Sequence, residues 1–313
     1  MKVLVTGAAG FVGARLVEHL LDAGDTVVAT VQSAEQRDEA TGALLASGEE
    51  RASRCTVVAI DLVDPGQERQ LARLQDESGC EVIVHLAAHS DVAASWNDVA
   101  GCYRVNVQGT ENVLAAAGGA RVVLASSAEV YGKVAPDQLP LHESAPVAPS
   151  TPYAMSKACA ERLALRDGAR VVRSFNLVGR GQSPRFAISS FAHQLRDIRR
   201  HGDRGVLRVG NLDSARDFLH VADGVAGYRT VAAAGEDGGV YNLASGEARR
   251  VREVLDRLIA ITGLDVRVEL DPRRLRPSDV PAMAGDSSRL ERLGWQPHRS
   301  LDEALLELWN SLA

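Results

Sequence analysis

Tyr153-Ala154-Met155-Ser156-Lys157 sets a phenol and an ammonium four residues apart, a spacing that puts both on one face of a helix. A phenol with a pKa near ~10 exchanges protons poorly at neutral pH unless a nearby cation favours its phenolate. Lys157 could supply that cation. Of 35 basic residues only Lys2, Lys133 and Lys157 are lysines, and only Lys157 has a tyrosine four positions before it. The plain alternative is a surface i,i+4 pair. A second candidate lies where the apolar run Arg121–Ser126 gives way to Ser126-Ser127-Ala128-Glu129. A serine hydroxyl at the C-terminal end of a strand faces the crevice where open α/β sheets bind ligands, although serines also cap and turn.

Thr6-Gly7-Ala8-Ala9-Gly10-Phe11-Val12-Gly13 follows the first apolar run and opens the first helical pattern. Small residues there let the backbone approach a diphosphate, and a helix N-terminus offers free N–H groups with partial positive charge. Glycines also make ordinary turns, so the position between first strand and first helix carries the reading. Gly7, Gly10, Phe11, Val12 and Gly13 are expected to hold a dinucleotide, NAD(H) or NADP(H). Asp61-Leu62 closes the third run and is placed for an adenine ring, with a helix N-cap as the alternative for Asp61. Leu86-Ala87-Ala88, after His85, closes the fourth where the middle of the cofactor would pass. The second run ends in Val31-Gln32-Ser33, with no carboxylate for a ribose 2′-hydroxyl. NADPH is therefore expected to be accepted at least as well as NADH, and Arg37 is close enough in sequence to swing toward a 2′-phosphate.

These groups need a frame. Lys2–Thr6, Thr26–Thr30, Thr56–Ile60, Glu81–Leu86, Arg121–Ser126 and Arg170–Ser174 are short, nearly continuous apolar runs, the pattern of parallel strands buried on both faces. Helical patterns over Gly13–Ala23, Gln67–Glu77, Gly101–Ala117 and Pro152–Arg166 alternate with them. The alternation predicts an α/β fold, a doubly wound Rossmann-type parallel sheet. The polar segment Ala40–Ser53 reads as a surface excursion. After about residue 175 the rhythm breaks into a loop at Gly179–Pro184, a helix over Phe186–His201 and a strand at Val206–Val209. A sheet strand at Val240–Ala244 and a helix over Arg249–Thr262 follow. Residues 263–313 add a strand, a Pro-rich loop at Asp271–Pro281 and a last helix. The division expected is a dinucleotide-binding unit of residues 1–175 plus about 217–245, with a smaller interleaved substrate unit of residues 176–216 and 246–313.

Composition removes whole classes of function. With 35 Lys+Arg against 41 Asp+Glu and 4% aromatics in 313 residues, the chain lacks the basic stripe and stacking platform of a nucleic-acid binder. No apolar run reaches the ~18 residues of a membrane span, and no signal-peptide pattern opens the sequence, so the expected location is cytoplasmic. Cys55, Cys80, Cys102 and Cys159 show no CxxC pair and no metal-ligand spacing; they read as idle thiols, and no metal is expected.

Taken together, the motifs resemble the extended short-chain dehydrogenase/reductase superfamily of nucleotide-sugar epimerases, dehydratases and reductases. The resemblance spans essentially the whole chain: TGxxGFVG at Thr6–Gly13, HLAA at His85–Ala88, Asn106 in VNVQGTENVL, SSAEVYG at Ser126–Gly132, YAMSK at Tyr153–Lys157 and RSFNLVG at Arg173–Gly179. It implies a Ser127–Tyr153–Lys157 catalytic triad, Ser127 being three residues before the Val of VYG, and a cofactor contact from Asn106. Gly181–Phe186, Gly210–Phe218 and Leu275–Pro281 look most like the GDP-4-keto-6-deoxy-mannose reductases. That likeness implies substrate contacts from Asn176, Arg185, Arg216 and Arg276, with Asn176, Arg216 and Arg276 holding the sugar nucleotide's diphosphate. Salt bridges to Asp217 or Asp279 are the structural alternative for Arg216 and Arg276. Dehydratases of the superfamily place an acidic or hydroxyl residue and then Glu after the catalytic hydroxyl; here the pair is Ala128-Glu129, which disfavours dehydration and leaves Glu129 either to bond a sugar hydroxyl or to face solvent. The reading is reduction of a GDP- or other NDP-sugar, with a 4-epimerase holding NAD tightly as the rival and a non-catalytic NAD(P)-binding regulator as the more distant one. Small apolar residues on more than one face of Gly101–Ala117 and Pro152–Arg166 call for a second surface to bury, and the resemblance implies a homodimer through a four-helix bundle, two helices from each subunit.

Overall fold

The computed structural model describes residues 1–275 and 280–312. The first six strands are β1 (Lys2–Thr6), β2 (Thr26–Val31), β3 (Cys55–Ala59), β4 (Val82–His85), β5 (Arg121–Ser127) and β6 (Arg170–Ser174). After them come β7 (Asn176–Val178), β8 (Arg204–Val209), β9 (Ala215–His220), β10 (Val240–Leu243), β11 (Ala248–Arg250), β12 (Asp265–Leu270) and β13 (Ala282–Met283). Seven of these form one parallel sheet in the order β10-β6-β5-β4-β1-β2-β3. Strand order reverses between β1 and β4, and the crevice above such a switch point is where doubly wound sheets bind ligands.

The apolar runs lie inside because both faces are covered. Leu16 and Leu20 of the helix Phe11–Asp22 join Val225, Tyr228 and Val231 of the helix Val221–Ala234 on one side. Leu71, Val113, Ala160 and Ala164, from three other helices, cover the opposite side. The α/β doubly wound expectation holds.

A second layer stands over the C-terminal ends of the strands. There β9 pairs with β7, β11 and β13, while β8 pairs with β12. Helices Ala187–Arg200, Val251–Thr262 and Leu301–Asn310 close a separate core around Phe191, Leu255, Leu258 and Leu305. The chain then returns to the large sheet through the helix Val221–Ala234 and β10, so the two layers are interleaved.

Three local readings change. The expected surface excursion is mostly helical, over Ala34–Ala46 and Glu49–Ser53, but neither helix fully buries a residue; Leu44 alone of its large apolar side chains packs against the core, too little to give the sequence a period. The single helix expected over Gly101–Ala117 is three pieces: Val99–Tyr103, a π-helical turn at Arg104–Gln108, and Gly109–Ala115. The strand Ala215–His220 and the helix Val221–Ala234 lie where the sequence pattern predicts no element.

Candidate active site

Gly7 ends β1 in a left-handed conformation, φ +70°, and a Cβ there would stand 2.7 Å from the Ala87 backbone nitrogen. A Cβ on Gly13 would lie 2.1 Å from the Gly7 carbonyl oxygen. The loop is thus pressed onto the end of β4 and the first turn of the helix, where no larger residue fits. Gly10 caps the helix Phe11–Asp22 without a side-chain bond, and no acidic residue occupies its first turn. Backbone N–H groups left in that way are a site for an anion, so these residues fit the diphosphate of a dinucleotide.

Beneath the loop, Thr6 and Thr110 hold the His85 ring between them, at 2.7 Å to Nδ1 and 3.1 Å to Nε2. Thr110 donates its own proton to the Asn106 carbonyl at 2.7 Å, so it accepts from His85 Nε2–H and Nδ1 accepts from Thr6. Burial, with Lys157 nearby, lowers the His85 pKa to about 3. The ring is neutral and structural.

The helix Pro152–Arg166 starts where Thr151 Oγ1 accepts the Ala154 N–H at 3.1 Å, with proline in the first turn. Ser95 accepts the Tyr153 N–H at 3.2 Å. These caps aim Tyr153 at the end of β5, where its phenol faces the Ser127 hydroxyl. Burial pushes the phenol well above its usual range, against the effect of Ser127. Lys157 donates to the Ala125 carbonyl at 2.9 Å, and burial lowers its pKa to about 8. Ser126 turns away and bonds to Glu161. The arrangement can deliver a proton from a phenol to an oxygen that Ser127 also touches, with a cation buried alongside.

A cleft of about 960 Å³ runs over the strand ends. Gly7, Gly10, Phe11, Val12, Gly13, Asp61, Leu62, Leu86, Ala87 and Ala88 line it, as do Ser127, Glu129, Tyr153, Lys157, Asn176, Arg185 and Arg216. Arg276 lies outside the described residues, as does Asp279. Asn106 is not in the lining: its side chain accepts from the His89 N–H at 2.7 Å and donates to the His89 carbonyl at 3.1 Å and to Ser156 at 2.8 Å. It braces the wall from behind, presented by the π turn. Asp61 is not a helix cap either, since the next helix begins at Gln67 behind Gly66. Its carboxylate accepts from Gln32 Nε2 at 3.0 Å and from the Val63 N–H at 3.1 Å. Arg37 is paired with its neighbour Asp38 at 2.9 Å and is absent from the lining, where Gln36 stands instead.

Asp217 is fully buried and accepts from Ser245 N and Oγ at 2.7 Å, Gly246 N at 2.9 Å and Gly285 N at 3.3 Å. Arg216 beside it donates to the Val280 carbonyl at 2.6 Å. Sequence reasoning missed Ser174, Tyr228, Arg273 and Arg274, which also line the cleft. The signal for Ser174 was present, a hydroxyl at a strand end like Ser127; Tyr228 sits on the helix that was not anticipated. Among the described residues no cluster of His, Cys, Asp or Glu could hold a metal, and no helix is long and apolar enough to cross a membrane.

Residues 4–308 match the family model described as GDP-mannose 4,6 dehydratase. A GDP-6-deoxy-D-mannose reductase of Pseudomonas aeruginosa is 35% identical over 245 residues, covering 74% of this chain and 81% of that protein. The structure of RMD from Pseudomonas aeruginosa complexed with NADPH superposes with a TM-score of 0.80 at 30% identity, covering 99% of this chain and 98% of the other. DesIV, a dTDP-glucose 4,6-dehydratase from Streptomyces venezuelae with NAD and TYD bound, gives a TM-score of 0.85 at 30% identity over 99% of this chain and 96% of that one.

Proposed function

The chain belongs to the GDP-mannose 4,6-dehydratase family, and from that premise we propose that it reduces the C4 keto group of a GDP-4-keto-6-deoxyhexose with NAD(P)H. It is an NAD(P)-dependent nucleotide-sugar enzyme of the extended short-chain dehydrogenase/reductase type. The observation that carries the finer reading is the step from Ser127 to Glu129. Between them stands the buried methyl group of Ala128, which can neither give nor take the proton that elimination of water from a sugar requires.

The nicotinamide, when bound, supplies the hydride for C4. Tyr153 donates its proton to the oxygen at that carbon. A phenol held above its ordinary range is a hydroxyl at neutral pH, ready to give its proton to an alkoxide as it forms. Ser127 hydrogen-bonds the same oxygen, and the Lys157 cation offsets the phenolate that remains. Gly7, Gly10 and Gly13 hold the cofactor diphosphate. Asn176, Arg185 and Arg216, from the second layer, take the sugar nucleotide, whose unit we place in residues 176–216 and 246–313. Glu129 accepts a sugar hydroxyl.

Incubation with NADPH and a GDP-4-keto-6-deoxyhexose tests this. Loss of reduced-nicotinamide absorbance in step with formation of the 6-deoxyhexose is expected. Failure to reduce 4-keto sugars carried by GDP, UDP or dTDP removes the reading. Stoichiometric NAD retained through purification, with interconversion of 4-epimers and no net cofactor use, would replace it with an epimerase.

A further inference from the structure

Ser127 and Ser174 are register partners at the ends of adjacent strands, β5 and β6. Each hydroxyl meets a tyrosine. Ser127 meets Tyr153, from the helix on one face of the sheet. Ser174 meets Tyr228 at 2.7 Å, from the helix Val221–Ala234 on the other face. The proposed reaction uses the first pair and leaves the second idle, although Ser174 and Tyr228 both line the cleft.

Tyr228 is 2% exposed, and burial pushes its pKa up to about 12 against the Ser174 bond. The pair is therefore neutral at any working pH. Two hydroxyls that share one hydrogen bond still hold one O–H and several lone pairs for a third group. That group must offer both an acceptor and a donor, and no charge.

The order of the sheet says which group this is. Asp61 and Gln32 stand at the ends of β3 and β2, the glycine loop at β1, Ala87 and Ala88 after β4, and Ser127 and Tyr153 at β5. A dinucleotide laid along this line, adenosine first and diphosphate at the loop, brings its reacting ring to β5 and its terminal group to β6, one strand spacing of about 4.8 Å further. The arginines that suit a sugar diphosphate, Arg185, Arg216 and Arg274, come instead from the second layer. Ser174 and Tyr228 belong to the sheet floor on which the cofactor lies.

We propose that the Tyr228–Ser174 hydroxyl pair binds the carboxamide of the nicotinamide and so fixes which face of the ring is turned to the substrate. The inference rests on the proposed course of the cofactor along the cleft, but not on which sugar is reduced. The pair positions the ring and takes no proton in the reaction.

Binding measured by calorimetry separates the possibilities, with NADPH and 2′-phosphorylated ADP-ribose as probes, since that ADP-ribose lacks the nicotinamide ring and keeps the rest of the cofactor. Tyr228→Phe keeps the buried ring and should weaken NADPH binding about three- to thirty-fold, the range of one lost hydrogen bond. Ser174→Ala should act in the same direction, and the double variant should lose less than the two effects added. The phosphorylated ADP-ribose should bind all the variants as it binds the original chain. Equal weakening of both probes would make Tyr228 a packing residue and overturn the proposal, as would unchanged NADPH binding in both single variants. If the original chain binds the phosphorylated ADP-ribose but gains nothing from the nicotinamide, the proposed course of the cofactor fails instead.

Discussion

Lys157 and Glu161 stand one turn apart on the same buried helix face, and their charges are answered by different groups. Lys157 donates to the Ala125 carbonyl at 2.9 Å. Glu161 is gripped by Arg173 of β6 at 3.0 Å through Nε and 2.8 Å through Nη2, and also by Ser126. Burial alone would lower the Arg173 pKa, but the bonds and charge of Glu161 hold it above its usual range. The pair locks the catalytic-helix candidate to the ends of β5 and β6 directly beneath Tyr153 and Ser127.

Breaking that lock from one side leaves a buried charge without its partner. Arg173→Met is expected to cost about 3–5 kcal/mol of stability, and Arg173→Met with Glu161→Leu clearly less. Denaturant unfolding of the three proteins reads this, and a single-variant loss below about 1 kcal/mol contradicts it.

Tyr153→Phe removes the proposed proton donor and keeps the buried ring. Turnover should fall on the order of 10²–10⁴-fold, the usual worth of a general acid, with sugar-nucleotide affinity nearly unchanged. Steady-state kinetics beside direct binding measurements test both halves, and turnover at the original rate would remove Tyr153 from the mechanism.

Lys157 makes stability and activity respond oppositely to pH. Its pKa is about 8 in the folded chain against 10.5 as the reference value, so burial disfavours the charged form. Below pH 8 the folded protein carries that cost in full, and it disappears as pH rises from 8 toward 10.5, where the unfolded chain binds the extra proton. Lys157→Met should therefore be more stable at pH 7, by up to about 3 kcal/mol, and should lack this lysine's stabilisation at higher pH. Turnover needs the cation, so in the original chain kcat/KM should fall above pH 8. Thermal unfolding and pH profiles of both proteins decide, and a Lys157→Met variant less stable than the original at pH 7 refutes the account.

Trp96, Val99 and Met155 are exposed apolar side chains on or beside three neighbouring helices, Val92–Ser95, Val99–Tyr103 and Pro152–Arg166, and Cys159 is exposed one turn beyond Met155. We expect this face to pair with a second copy through the helices Val99–Tyr103, Gly109–Ala115 and Pro152–Arg166. Sedimentation should show a dimer at micromolar concentration, shifted to monomer by Met155→Glu. A monomer throughout would show that the patch is covered by nothing in solution.

What could be read from sequence was what repeats a local rule. The six apolar runs became β1–β6, five of them buried on both faces and the edge strand β3 only half-buried, and Ser127, Tyr153 and Lys157 line one cleft because a strand end and a helix start deliver them. The helix Val221–Ala234 gave no such signal. It buries Val221, Asp223, Gly224, Val225, Gly227, Tyr228, Val231 and Ala232, too wide a face to leave a polar stripe. The resemblance assigns Asn106 to the cofactor, whereas its place behind the wall depends on a π turn, which leaves no mark on side-chain spacing. Arg37 was drawn toward the cofactor by its position in sequence, whereas the helix Ala34–Ala46 turns it to Asp38 and offers Gln36 to the cleft.

That last difference bears on which cofactor the enzyme prefers. A carboxylate at the end of β2 would accept the ribose hydroxyls of NADH and repel the phosphate of NADPH. Here Gln32 follows the strand, and Asp61, after β3, has its carboxylate bonded to the Gln32 amide at 3.0 Å. The neutral amide engages the carboxylate nearest the end of β2. With Arg37 paired to Asp38, no arginine or lysine among the residues lining this end answers a 2′-phosphate. Neither strong attraction nor strong repulsion is present, so NADPH should bind at least as well as NADH with a preference below about tenfold, roughly 1.4 kcal/mol. Gln32→Ala uncovers Asp61 and should move the ratio toward NADH by several-fold, because specificity of this kind comes from a repulsive group. Asp61→Asn in the same background should cancel the move. Competitive titration of the two reduced cofactors against each protein measures all of these, and a preference above ~100-fold for NADH in the original chain would mean that Asp61 already faces the ribose past Gln32.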